Sequence, residues 1–361
     1  MFLNTGMAGH WPKRLGLVLA LGLIGCSGDD AAVTVPDGDT AAVQADAPVV
    51  VATTSVICNL AEQIAETTVA LTCLLEPGVD PHTYQVKPSD RQAIEQADLI
   101  LYDGYDAAPG LIAMVQDSTT SAERVAVYET AVPNPLMGAA HDHDHGAEAA
   151  HDHAHDDDHA HDDDHAHDAA DAAELVPDPH VWHNATHNAA MVTVIAEALA
   201  QANPDQATLY TENADRLANQ FAEIDAWIQT QVATVPADQR QLVTTHEAFG
   251  YFADAYGFEV KGALSGLSTD EKPTPGALTA LVDQVKDSQV PAIFAENTTN
   301  PQLIESVAKD AGVAVAEQPL YVEGPGEPGS DAETVQAMLV ANTCTVVEAL
   351  GGTCDRASAP L

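Results

Sequence analysis

The spacing of apolar positions along the chain alternates between strand-like and helical. A short β-branched run at residues 49–53 is followed by a helical pattern over 59–66. A second apolar run at 71–75 is stopped by Pro77-Gly78. Ser89, with Gln92 three residues on, has the form of a helix capping box. That helix runs to about Ala97 and feeds the apolar run 99–102, and 124–128 reads as a further strand. After an interruption, structure resumes near Asn184 with two helices parted by Asn203-Pro204. The second, 205–232, carries Leu209, Leu217, Phe221, Ile224 and Ile228 on one helical stripe, and Pro236 closes it. A new series follows: strand 241–245, helix 247–256, strand 258–264, a helix from Thr274, strand 292–296, a helix from Pro301, strand 313–316 and a last helix over 332–350. Alternation of this kind predicts an α/β fold with parallel sheets covered by helices. The expected organisation is two parallel-sheet α/β lobes, 48–204 and 236–361, joined by one long helix at 205–235.

The interruption, residues 138–178, holds ten of the chain's sixteen histidines: His141, His143, His145, His151, His153, His155, His159, His161, His165 and His167. They alternate with Asp and Ala and leave no apolar period to bury, so the segment is expected to be a disordered His/Asp-rich loop. At the other extreme, Lys13-Arg14 precede an apolar run over 15–25. That run is too short for the roughly 20 residues of a spanning helix. It ends in Leu23-Ile24-Gly25-Cys26, which resembles the lipobox of bacterial lipoproteins. The resemblance implies a signal peptide over 1–25, export, and attachment to the lipid bilayer through a lipidated Cys26, with 26–47 as a flexible tether. Four cysteines then remain, an even number in an exported chain. The simplest pairing is Cys58 with Cys73 and Cys344 with Cys354, each closing a short loop that contributes about 2–3 kcal/mol in the chain-entropy account.

Composition narrows the partners. The 361 residues are 46% hydrophobic, enough for a sizeable core, and carry a formal charge of −43. Such a charge excludes nucleic acid as a partner, because phosphate binding needs a basic face. It favours metal cations, although over the ordinary surface an acidic excess serves solubility equally well.

Outside the His-rich segment and the leader, five histidines remain: His82, His180, His183, His187 and His246. His82 follows a strand, His180 lies between the acidic segment and a helix, and His246 follows the strand ending at Thr245. Ligands of open α/β sheets gather at such strand ends. Three imidazoles and one oxygen form an ordinary zinc donor set. His183 and His187, four apart at a helix start, lack a third partner and read as surface residues.

The segments around these histidines resemble a known family. Asp80-Pro81-His82-Thr83-Tyr84 with Lys87-Pro88-Ser89-Asp90, then Asp178-Pro179-His180-Val181-Trp182, then the run from Thr245 through His246 to Phe252 with Tyr256-Gly257, and Leu267-Ser268-Thr269 through Glu271, Lys272 and Pro273 are similar, in order, to the metal-binding subunits of zinc and manganese ABC importers. The zinc branch (ZnuA-like, cluster A-I) is the nearer likeness. The resemblance implies a metal site between two lobes, with His82, His180 and His246 as ligands. The family's usual fourth ligand, a C-terminal Asp, is replaced here by Glu323, with water as the alternative. Glu296, at a strand end, is assigned to hydrogen bonding beside the site. The implied partners are an ABC transporter permease and its ATPase, and the chain is expected to be a monomer.

Manganese-specific relatives carry a carboxylate where this chain has His246, and imidazole favours Zn²⁺ over Mn²⁺. The expectation is therefore one tight Zn²⁺ between the lobes and weaker ions on the His-rich loop, in a protein that is not an enzyme. A manganese-specific subunit, a periplasmic zinc buffer or an adhesin are the alternatives. A zinc hydrolase is disfavoured because the chain has no His-Glu-x-x-His, nucleophile motif or acid/base pair.

Overall fold

The computed structural model describes residues 47–139, 175–270 and 273–361. The leader 1–25, Cys26, the tether up to residue 46, the ten histidines of the His-rich segment, Glu271 and Lys272 lie outside the described residues. Chain order is β1 (Val49–Ala52), α1 (Ser55–Ala65), β2 (Ala70–Cys73), α2 (Pro88–Gln96), β3 (Leu99–Tyr102), α3 (Pro109–Gln116), β4 (Glu123–Ala126), α4 (Val127–Ala131), β5 (Met137–Ala139) and β6 (Leu175–Pro177). Next come α5 (Ala185–Ala202), α6 (Ala207–Val232), β7 (Gln241–His246), α7 (Gly250–Tyr256), β8 (Glu259–Ser265), α8 (Pro275–Ser288), β9 (Ala292–Ile293), α9 (Gln302–Ala311), β10 (Ala314–Val315) and α10 (Val335–Ala349). Among the described residues no helix is long and apolar enough to cross a membrane.

The N-terminal half is a parallel sheet in the order β2-β1-β3-β4. The chain passes from β1 to β2 on one side and from β2 back across β1 to β3 on the other, so the switch point where such sheets bind ligands falls between the C-terminal ends of β1 and β3. The C-terminal half contains two parallel pairs, β7–β8 and β9–β10, bridged by the Phe294 N–H on the Val243 carbonyl. The 26-residue α6 links the halves, and Leu217, Phe221, Ile224 and Ile228 are wholly buried along it. One apolar cluster contains residues of both sheets' helices, of α6 and of α10, so the two lobes share a core.

Several expectations are corrected. Ser89 does not cap α2; Pro88 takes the first helical position and the Asp90 carboxylate accepts the Lys87 N–H at 2.7 Å. Proline's fixed φ and missing donor suit that place. Residues 127–128, read as strand, open α4 instead, and α3 was not foreseen because Pro109-Gly110 reads as a turn. His246 is the last residue of β7, and the next helix begins only at Gly250. The loop expected over 138–178 is bounded more tightly: Met137–Ala139 and Leu175–Pro177 pair antiparallel, and Asp178 is buried. Both cysteine pairs, Cys58–Cys73 and Cys344–Cys354, are disulfide-bonded.

Candidate metal centre

Four side chains from four separate segments converge between the lobes. His82 is carried by the loop after β2, His180 by the turn after β6 and His246 by the last position of β7. Glu323 comes from the loop that follows a parallel bridge between Glu296 and Leu320. All four are buried, with exposures of 8%, 0%, 0% and 5%. The Nε2 atoms of His82 and His246 lie 3.3 and 3.2 Å from that of His180. Glu323 Oε1 lies 3.2 Å from His246 Nε2 and 3.7 Å from His82 Nε2. Donors about 2.1 Å from one tetrahedral centre stand about 3.4 Å apart. The measured spacings match that edge length. Neither Glu323 oxygen has a hydrogen-bond partner, and a carboxylate buried without donors is costly unless a cation meets it.

Each imidazole except that of His82 is oriented from behind by a carboxylate. Asp178 Oδ1 takes both the His180 main-chain N–H at 2.9 Å and Nδ1 at 2.8 Å. Glu296 takes the His246 N–H at 2.8 Å and Nδ1 at 2.7 Å. Both arrangements keep a proton on Nδ1 and turn Nε2 inward. Asp80 accepts the His82 N–H at 3.0 Å and receives the Thr269 hydroxyl from across the cleft. Glu296 was foreseen beside the site, whereas Asp178 and Asp80 were not. Their signal is the repeated Asp-Pro-His, which sets a carboxylate two residues before each imidazole.

Protonation follows from these surroundings. Burial, and then the neighbouring charges of His246 and His82, hold His180 well below the usual imidazole range. Burial pulls His246 the same way, but the Glu296 and Glu323 carboxylates outweigh it and raise it well above. Glu323 is pushed up by burial and pulled down further by His82 and His246, so it stays ionised. Burial raises Asp178 to about 7 against the His180 N–H. His183 and His187 are not surface residues. His183 is 1% exposed and stacks on Phe249 at 4.3 Å, and burial pushes it down to about 3. Half-buried His187 faces the Val181 carbonyl. Among the described residues the other grouping of metal-donor types, Cys58, Glu62 and Cys73, contains a disulfide and so offers no thiolate.

A buried centre closed by four protein donors leaves no open position for a reacting water, which suits capture of an ion and not catalysis. The family of zinc-uptake complex component A, periplasmic, matches residues 50–349. The chain is 30% identical to the manganese-binding lipoprotein MntA of Halalkalibacterium halodurans, over 92% of this chain and 96% of that one. It is 29% identical to the zinc-binding protein TroA of Treponema pallidum, over 84% and 89% respectively. Among solved structures, the periplasmic zinc-binding protein TroA of Treponema pallidum superposes with a TM-score of 0.71 at 29% identity, covering 84% of this chain and 99% of that one. With a match across both lobes, the chain belongs to the ZnuA family of metal-binding subunits of ABC importers, and it is a solute-binding protein and not an enzyme.

Proposed function

We propose that the protein captures Zn²⁺ outside the cytoplasmic membrane with His82, His180, His246 and Glu323 as its ligands, and delivers it to an importer permease. The carrying observation is the donor set: three inward Nε2 atoms and one donor-free carboxylate at tetrahedral spacing. In this reading Glu296 and Asp178 orient His246 and His180. The lobes are 48–204 and 236–361 about the helix 205–235. Cys26 anchors a monomer to the lipid bilayer, and the ten histidines of residues 141–167 gather further Zn²⁺ weakly. Imidazole-rich donor sets favour Zn²⁺, and carboxylate-rich ones Mn²⁺. The second reading is manganese, and it is favoured by two relatives at 30% identity, both manganese-binding lipoproteins.

The test is metal content and Zn²⁺ titration of three proteins starting after Cys26: the wild type, a form lacking 140–174, and His82→Ala/His180→Ala/His246→Ala. The reading expects one tight ion in the shortened form and its loss in the triple variant. If the shortened form binds none while the triple variant still binds several, the inter-lobe reading fails and the chain acts as a zinc buffer. Metal analysis of protein purified from cells supplied with both metals separates the two cargo readings. Manganese in the inter-lobe site would sink the zinc one.

A further inference from the structure

Glu323 has no donor on its carboxylate, so its place depends on how its main chain is held. The C-terminal lobe holds one side. Asn342 accepts the Tyr321 N–H at 2.8 Å and donates to the Tyr321 carbonyl, while Asn297 accepts the Val322 N–H at 3.2 Å. The other side is held from across the cleft. Two ring donors meet on one acceptor, the Val322 carbonyl: Trp182 Nε1 at 2.8 Å and His183 Nε2 at 3.0 Å. Because the acceptor is a carbonyl, the His183 proton sits on Nε2, the reverse of the tautomer the ligand histidines need, so His183 is not itself a ligand.

His183 also touches the other two rigid ligand segments. It lies in the turn that begins at His180, and its ring stacks on Phe249, three residues beyond His246, at 4.3 Å and 28° between planes. We propose that His183 is a positioning residue for the metal centre. Its one ring, through the Val322 carbonyl and Phe249, sets the spacing of the Glu323 loop against the His180 turn and the segment after His246. The inference rests on the ligand assignment above. An apolar ring at position 183 would keep the stacking and lose the donor. The Val322 carbonyl would then keep Trp182 alone and the Glu323 carbonyl its Ser55 hydroxyl at 3.3 Å, so Glu323 would be held less firmly at the tetrahedral edge.

The test uses the full chain with Co²⁺ as the probe, whose visible absorption is strong when four-coordinate and weak when six-coordinate. Zn²⁺ affinity is read beside it by competition with a chelator strong enough to strip the His-rich segment. His183→Phe is expected to weaken Zn²⁺ about 10- to 100-fold, the usual effect of losing an outer-sphere partner, and to diminish the Co²⁺ band. His183→Gln, which restores a donor near the Nε2 position, is expected to recover both. Should His183→Phe not fold, Trp182→Phe removes the other donor from the same carbonyl and is expected to shift both readouts the same way. Wild-type affinity and spectrum in His183→Phe or, failing it, Trp182→Phe would overturn the proposal. Equal damage from His183→Gln and His183→Phe would also overturn it. If the wild-type band survives His246→Ala, the ligand assignment itself is wrong and both readings fall.

Discussion

Capture of the ion should expel a proton from His246, and Glu296 should be the reason. His246 lies between two carboxylates, 2.7 Å from Glu296 and 3.2 Å from Glu323, and against the pull of burial they raise it well above the usual imidazole range. A metal takes Nε2, so the proton there must leave while Nδ1 keeps its bond to Glu296. One proton per ion means about a tenfold gain in affinity per pH unit, or about 1.36 kcal/mol. That gain holds below the raised folded value of His246 and ends as pH rises through it. The stability linkage has the opposite sign: the charged His246 stabilises the metal-free fold fully below its unfolded value, and that contribution fades as pH rises through the folded one. Glu296→Gln keeps an oxygen that can accept from Nδ1 but removes the charge. Burial, opposed then only by Glu323, should return His246 towards neutrality. Calorimetric Zn²⁺ titration in two buffers of different ionisation enthalpy counts protons released. Working at pH about 8, above the ordinary imidazole value of ~6.5, keeps protons of unperturbed imidazoles out of the count. The wild type should release close to one proton more per ion than Glu296→Gln. Equal proton counts would refute the account of His246.

Other outcomes follow from the same geometry. Gly324 has φ +137°, and a Cβ there would come within 2.3 Å of Ser55 Oγ, so Gly324→Ala should cost about 1–3 kcal/mol in chemical denaturation. Ser55→Ala in the same chain should restore the steric part alone. Tyr251 donates its hydroxyl to the Asp178 carbonyl and accepts the Leu136 N–H, both at 3.0 Å. Tyr251→Phe should therefore lose about 1–3 kcal/mol of stability by the same assay, as partly buried groups are left unpaired. Breaking Cys344–Cys354 with a double Ser substitution should cost about 2.7 kcal/mol in the chain-entropy account and leave Zn²⁺ affinity unchanged. Thr269→Val removes the hydroxyl on Asp80, and stopped-flow transfer of Zn²⁺ to a chelator should become faster.

The repeating α/β order, the long α6 and His82 and His180 were legible because each leaves a local mark: a change of period, a helical stripe, an Asp-Pro-His; His246 showed as a strand end, and Glu323 came only from the family resemblance. What escaped depends on contacts distant in sequence. His183 looked exposed because its partner, the Val322 carbonyl, lies 139 residues away. The same holds for the ends of the His-rich segment. Nothing in Met137–Ala139 or Leu175–Pro177 spells out a pairing, yet the two strands close on each other and Asp178 turns inward to His180. Gly250 makes sense only beside Asp178, whose Oδ2 a Cβ would meet at 2.7 Å. Ser89 misled because the capping-box pattern fits two registers. Pro88 decides between them by occupying the first helical position, which leaves Asp90 to reach back to Lys87.

The four proposed ligands are not held equally, and the difference bears on how such a site would give up an ion. His180 and His246 are each tied twice to a buried carboxylate, and Glu323 hangs from a main chain pinned by both lobes. The His82 ring has no such support. Its loop is steadied by Asp80, and across the cleft by the hydroxyl of Thr269, a residue of the opposite lobe. At 8% it is also the most exposed of the four. A shared core makes wide separation of the lobes expensive, since it would expose packed apolar surface at about 25 cal/mol per Å². The His82 loop is tied across the cleft, among the described residues, by the Thr269 hydroxyl on Asp80, and its Val79 and Tyr84 pack on the smaller N-terminal cluster, so moving it leaves the shared core intact. On the proposed ligand set, release to an importer would then begin at the His82 loop, with His180, His246 and Glu323 still held by their own partners.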